Sequence, residues 1–228
     1  MAARTVEISP PPSTGGRGLS ALELLFGAAV VIGHNVYHLV PNEVIVLFVL
    51  GWPLVRIRNG SWAAIGFKRP RSWLRIVGIA LLAAGLRILL GSFVIEPLGA
   101  HFWPAIEAPA GAEQIAGNFK VALLALLLVW TFAAFGEEIV YRGYLTLRGA
   151  EAGGGSSAAF CWATLLVSVL FGLGHFYKGA TGICDSTMAG LILGAAYLVS
   201  GRNLWAAVLG HGFIDTYAVV ALFFGWES

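Results

Sequence analysis

Apolar residues run through this chain in long blocks, separated by short breaks rich in proline, glycine or charge. The blocks are Leu19–Val40, Glu43–Val55, Trp73–Ile95, Asn118–Arg148, Ala158–Tyr177, Thr187–Val199 and Leu204–Phe224. Several reach or approach the roughly 20 residues that span a bilayer as a helix. None shows the alternating segments of about ten residues that a membrane barrel requires. The pattern predicts an all-α, polytopic membrane helical bundle of about seven to eight transmembrane helices. Pro41-Asn42 ends the first block, and Pro53 is placed to kink the second. Pro70-Arg71-Ser72 reads as a helix start. Glu96–Gly117 holds three glutamates and three prolines without Lys or Arg, and reads as an outer loop. Lys178–Asp185 reads as a polar turn, and Gly201-Arg202-Asn203 as a tight one. Residues 1–18 are polar, with a Pro10-Pro11-Pro12 run, and read as a disordered tail before a single transmembrane domain over 19–228.

Composition agrees with that reading. The chain of 228 residues is 58% hydrophobic and 11% charged, with mean hydropathy +0.81; a soluble domain carries about 25% charged residues. Net charge is +2, and no basic run interleaved with aromatics points to nucleic acid. Membrane lipid is the partner that the composition implies. Position matters more than net charge. Arg56, Arg58, Lys68, Arg69, Arg71 and Arg75 form the densest basic cluster, flanked by Trp62 and Trp73. By the positive-inside rule that end is cytoplasmic, and the N-terminus with it; short loops and compact size suggest a plasma (inner) membrane for this multi-pass protein. Arg142 and Arg148 are read as marking the same end. Cys161 and Cys184 are expected to be buried thiols. Gly190 and Gly194 form a small-xxx-small face for close helix packing, within the chain or between chains.

Ionisable groups inside apolar helices are costly and turn toward partners or wet cavities. Three late helices carry them: Glu137, Glu138 and Arg142; His175; and His211 with Asp215. Glu138 and Arg142 share a helix face at i, i+4, as do His211 and Asp215. Glu137 lies about 100° away from Glu138 round its helix. Counting about 1.5 Å per residue from the connectors puts Glu137 about 20 Å, His175 about 22 Å and His211 about 12 Å along their helices. One shared site is therefore allowed. Such a set suits hydrolysis. Glu137 is a candidate general base on water, with His175 to position it. His211 and Asp215 can support an oxyanion, and Glu138–Arg142 can support Glu137. Glu137, His175 and His211 could instead bind a catalytic zinc. Elsewhere, His34 and His38 are spaced i, i+4 near a helix end, and Arg87 sits alone in an apolar run; the sequence assigns neither a role.

Glu137-Glu138-x-x-x-Arg142, Phe171-x-x-x-His175 and His211-x-x-x-Asp215 resemble the three signature motifs of the CPBP family, the Abi or CAAX-protease-like intramembrane endopeptidases that include the Rce1 type. The resemblance covers about residues 118–220, and Ile65-Gly66-Phe67 is similar to the linker that precedes the family core. It implies an intramembrane endopeptidase, glutamic or zinc-dependent, acting on a peptide or membrane-protein substrate; the enzyme reading places the cut near the cytoplasmic face. Glu137 and His175 would activate water, Glu138 and Arg142 would hold their helix, and His211 with Asp215 would form the oxyanion side. Asp215 stands where the prenyl-protease version often has Asn, so a prenylated substrate is implied less strongly than peptidase activity. An ion or proton transporter, or a non-catalytic scaffold or immunity protein, would be the alternatives for the same residues.

Overall fold

The computed structural model describes residues 14–103 and 111–226. Its helices join into seven rods. These are α1 (Thr14–Asn35), α2 (Glu43–Asn59), α3 (Trp73–Phe102), α4 (Phe119–Ala152), α5 (Ser157–Leu173), α6 (Gly179–Val199) and α7 (Leu204–Phe224). All but α2 and α5 are long and apolar enough to cross a membrane, and α5 is a shorter apolar helix. The protein is a polytopic helical bundle, as the block pattern predicts. Its outward faces carry exposed apolar side chains such as Leu82, Phe93, Leu127 and Trp162, as a surface solvated by lipid requires.

Helix starts follow the polar residues that precede each apolar run. Asn42, Ser72, Asn118, Ser156 and Asn203 each accept a hydrogen bond from a first-turn backbone N–H, which relieves one orphan donor apiece. Gly60, in the left-handed conformation, closes α2. Pro53 lies inside α2, as expected.

The element boundaries move in four places. Residues 14–18, expected in the tail, are already helical, and α1 stops at Asn35 rather than Val40; residues 1–13 lie outside the described part. The third helix does not end at Ile95. It continues to Phe102 through a π-helical turn at Gly91–Ile95, which adjusts the backbone just before Pro97 so that the proline can be carried. Residues 104–110 of the expected loop lie outside the described part. The Lys178–Asp185 turn belongs mostly to α6, since Asp185 is a helical residue paired across the bundle with Arg87. Finally, α5 ends at Leu173, so His175 sits in a linker rather than on a helix.

The basic end is tied together by backbone acceptors. The N–H of Leu204 donates to Gly66 O at 3.0 Å, Arg75 Nη2 to Val199 O at 3.2 Å and Asn203 Nδ2 to Lys68 O at 3.3 Å. Partial burial, then the nearby Arg202 and Arg71, hold the Lys68 ammonium below its ordinary pKa. The linker between α2 and α3 thus docks on the turn between α6 and α7, with Ile65 fully buried.

Arg148 is not an end marker. It is fully buried, with Nη1 2.7 Å from Glu151 Oε2 and 3.0 Å from Asn59 Oδ1, and Nε 2.5 Å from Glu23 Oε2. Arg58 pairs with the same Glu23. This network joins α1, α2 and α4. Cys161 and Cys184 are exposed rather than buried, because their helix faces point away from the α5–α6 seam.

That seam is where the glycines matter. A Cβ on Gly190 would stand 3.0 Å from Ser168 Cα and Cβ, and Gly194 packs on Thr164. The small-residue face therefore packs within the chain. Gly190→Leu is expected to cost about 1–3 kcal/mol by overpacking, read as a lower thermal midpoint of the detergent-solubilised protein. An unchanged midpoint would show that the seam yields freely.

Candidate active site

The middle of α4 is wound as π-helix over Val129–Glu137 and Ile139–Leu145. Such wider turns are uncommon and concentrate at functional sites. They place Glu138, fully buried, at the centre of the bundle. Its Oε1 accepts from Arg142 Nη1 at 2.8 Å and stands 2.7 Å from His211 Nδ1 on α7. The i, i+4 pair expected on α4 is present. The bond to His211 is new, and makes one carboxylate oxygen the junction between two helices.

From His211 the chain of polar groups continues outward. Its Nε2 lies 3.4 Å from Asp215 Oδ2, so the two are on one face of α7, as the spacing predicts. The Asp215 side chain is 27% exposed against 9% for His211; the polar chain therefore runs from a closed interior toward an accessible end. A ring with N–H on both nitrogens satisfies both flanking carboxylates.

His175 reaches the same region from the linker after α5. Its Nδ1 is 2.9 Å from Phe171 O. Donation there leaves Nε2 as the acceptor nitrogen. Phe171 is the shared wall. The Arg142 guanidinium stacks 4.3 Å over its ring, and its centroid lies 4.7 Å from His175 and 6.1 Å from His211. The Phe171-x-x-x-His175 spacing thus carries a ring that holds a cation as well as a histidine.

Glu137 is the odd member. Its Oε2 is buried without a hydrogen-bond partner in the protein, while His211, Asp215, Glu138 and Arg142 are the charges that face it. His175 faces His211 and Asp215 in turn. All six residues singled out from the sequence therefore gather around one locus. A buried carboxylate oxygen left unpaired is costly and calls for an explanation beyond stability.

Other residues join that were not singled out. Glu43, at the start of α2, is buried and stands 3.3 Å from His34 Nε2, whose Nδ1 contacts Val40 O at 2.9 Å. His34 thus fastens the α1–α2 turn. His38 lies beyond the helix with φ 54°, so the two histidines do not form a helical pair. Tyr177 and Lys178 also face the site: Tyr177 toward Glu137, Glu43 and Asp215, and Lys178 toward Asp215, Glu137 and Asp185. Arg87 finds its carboxylate in Asp185. Nothing in the local sequence of Lys178 or Glu43 distinguishes them from turn residues; only the packing of α2 and the linker against α4 does.

The residues present do not fit a three-ligand metal centre. Both His211 nitrogens face carboxylates and His175 Nδ1 faces a carbonyl, which leaves His175 Nε2 as the one uncommitted imidazole nitrogen beside the Oε2 atoms of Glu137 and Glu138. Among the described residues, no group of three His, Cys, Asp or Glu side chains is placed to hold a metal ion.

Residues 119–217 match the family model described as type II CAAX prenyl endopeptidase Rce1-like. The match starts at the first residue of α4 and extends past Asp215 on α7, so it contains every member of the locus except Glu43. No curated protein and no solved structure gives a significant match. Over residues 119–217, then, the chain is similar to the Rce1-like type II CAAX prenyl endopeptidases, a likeness that supports a CAAX-protease-like reading of its motifs.

Proposed function

We propose that the protein is an intramembrane endopeptidase in which Glu137 activates a water molecule for attack on a peptide carbonyl. The observation that carries this reading is the buried, unpartnered Oε2 of Glu137 beside the Arg142–Glu138–His211–Asp215 chain. Glu138 also has a buried, unpartnered Oε2, but its Oε1 is committed to Arg142 and His211, which fits it to hold those two residues rather than to move as a base.

In this mechanism the substrate carbonyl carbon lies near Glu137. Water gives its proton to Glu137 as its oxygen attacks, and His175 Nε2 holds the second hydrogen of that water by accepting a hydrogen bond. The carbonyl oxygen becomes an oxyanion, and the Nε2–H of His211, which faces Asp215 at 3.4 Å in the resting site, turns its hydrogen bond to it while the bond from Nδ1 to Glu138 holds the ring. Collapse of the tetrahedral intermediate expels the amine, which takes the proton back from Glu137. Arg142 pairs with Glu138 and stacks over Phe171, whose ring stands edge-on to His211. Asp215 holds His211 from the open side.

The test pairs elemental analysis of the purified protein with cleavage of a quenched peptide library before and after chelation. The expected result is cleavage that survives chelation. Stoichiometric zinc with chelator-sensitive cleavage would overturn the glutamate mechanism and keep the protease. Folded protein that cuts nothing would leave the scaffold or transporter readings. Membrane-protein segments or lipid-anchored peptides are the substrates a site at this depth would take, in a plasma membrane with the basic end in the cytoplasm.

A further inference from the structure

The cations at the basic end fall into two groups. Arg58 and Arg148 are matched by Glu23 and Glu151. Lys68, Arg71, Arg75 and Arg202 are not: among the described residues, no Asp or Glu forms a salt bridge with any of them. The reason lies in the sequence. No acidic residue occurs between Glu43 and Glu96, nor between Asp185 and Asp215, and those are the two stretches that meet here.

The fold presses them together. Gly66, with φ 84°, lies so close to the α6–α7 turn that a Cβ on it would overlap Arg202 O. Its carbonyl accepts from the Leu204 N–H. That approach needs glycine, and it brings Lys68 Nζ to 3.4 Å from Gly201 O while Arg75 Nη2 reaches Val199 O. The charges that face Lys68 are Arg202 and Arg71. Like charges held together without a counter-ion repel, so the folded chain keeps a concentrated positive site that an anion from outside would neutralise.

The surroundings say what kind of anion. The Arg202 guanidinium stacks 4.2 Å over Phe160. Stacking uses the face of the group and leaves its N–H edge, the part that pairs with phosphate. Trp73 and Leu74, between Arg71 and Arg75 at the start of α3, are 47% and 86% exposed, and Trp73 packs on Trp205 with centroids 5.9 Å apart. Tryptophan at the end of a span marks the headgroup level of a bilayer. A soluble anion would use the cations and leave this apolar surface uncovered; a phospholipid uses both.

We infer that the cluster binds the phosphate of an anionic phospholipid, whose acyl chains lie on Trp73 and Leu74. The bound lipid neutralises Lys68, Arg71 and Arg202 and holds the linker between α2 and α3 on the α6–α7 turn. Leu204, bonded to Gly66 O, is the first residue of α7, so the lipid also steadies the helix that carries His211. The site stands independently of the endopeptidase reading.

The full chain, purified in neutral detergent, is titrated with dioleoyl phosphatidylglycerol or dioleoyl phosphatidylcholine. Bound lipid is counted by native mass spectrometry, beside a melting curve of each sample. Phosphatidylglycerol is expected to be retained in preference and to raise the thermal midpoint more. Lys68→Gln with Arg71→Gln is expected to weaken its retention by about 25-fold, about five-fold per cation, and to abolish the extra gain in midpoint. This variant loses like-charge repulsion and one long hydrogen bond, so it should fold. Arg202→Gln alone is expected to weaken retention about five-fold, and keeps the test decisive should the double variant be unstable. Arg17→Gln with Lys120→Gln removes equal charge elsewhere and should change neither readout. Equal retention of the two lipids, or equal losses in both double variants, overturns the inference. The same gain in midpoint from inorganic phosphate alone overturns the lipid as occupant.

Discussion

Glu137→Gln is expected to lower peptide cleavage by about 10²–10⁴-fold while the protein keeps its helical content and thermal midpoint. The amide is nearly isosteric with the carboxylate but cannot take a proton from water. The side chain occupies a place where no protein group bonds to its Oε2, so the substitution removes no internal contact. Burying a neutral amide there is easier than burying a carboxylate, and stability should hold or rise slightly. The measurement is kcat/KM on one peptide from the quenched library, alongside a melting curve of the same preparation. Cleavage at the wild-type rate would remove Glu137 from the mechanism. Loss of cleavage together with loss of fold would assign it a structural role instead. His175→Ala, at the same locus, is expected to lose activity in the same way, since Nε2 is the only acceptor proposed for the second water hydrogen.

Arg148→Met is expected to do the opposite. It should destabilise the protein by about 3–5 kcal/mol, the usual cost of leaving a buried carboxylate without its cation, and leave the chemistry of each folded molecule intact. The Arg148 guanidinium is fully buried between Glu23 of α1 and Glu151 of its own helix. Methionine replaces much of the volume but not the charge, so Glu23 retains Arg58 while Glu151 keeps mainly the hydrogen bonds from Ser20 and Asn59. The readout is a fall in thermal midpoint with kcat per folded molecule unchanged. A midpoint within error of wild type would mean that the network relaxes to water at the membrane edge.

Arg148 also illustrates what the sequence hid. An arginine near a helix end reads as a charge facing the cytoplasm, because linear order carries no information about whether α1 and α2 fold over it. Glu138–Arg142 was legible for the converse reason: both residues lie on one helix, and i, i+4 spacing alone brings them together. The same holds for His211 and Asp215. The bond from His211 to Glu138 spans 73 residues and depends on how α4 and α7 cross, which no local period encodes. Composition misled in two further places. Lys178–Asp185 is polar enough to look like a turn, yet Asp185 is helical and is matched by Arg87 from another rod. Pro97 reads as a stop, yet a π-helical turn just ahead of it lets the helix continue. The apolar rods were readable because lipid imposes length and composition on a span, and five of the seven are long and apolar enough to cross a membrane.

The junction at Glu138 has a consequence for the order of synthesis. Its partners arrive at different times: Arg142 emerges four residues later, but His211 only with the final helix. Until α7 is inserted, Glu138 has one partner, and the oxyanion side of the proposed site is missing altogether. On the proposed mechanism, a chain still on the ribosome therefore holds the water-activating base without the group that would stabilise the oxyanion. On that mechanism the chain is inert through its own assembly, and cleavage begins with the docking of its last span.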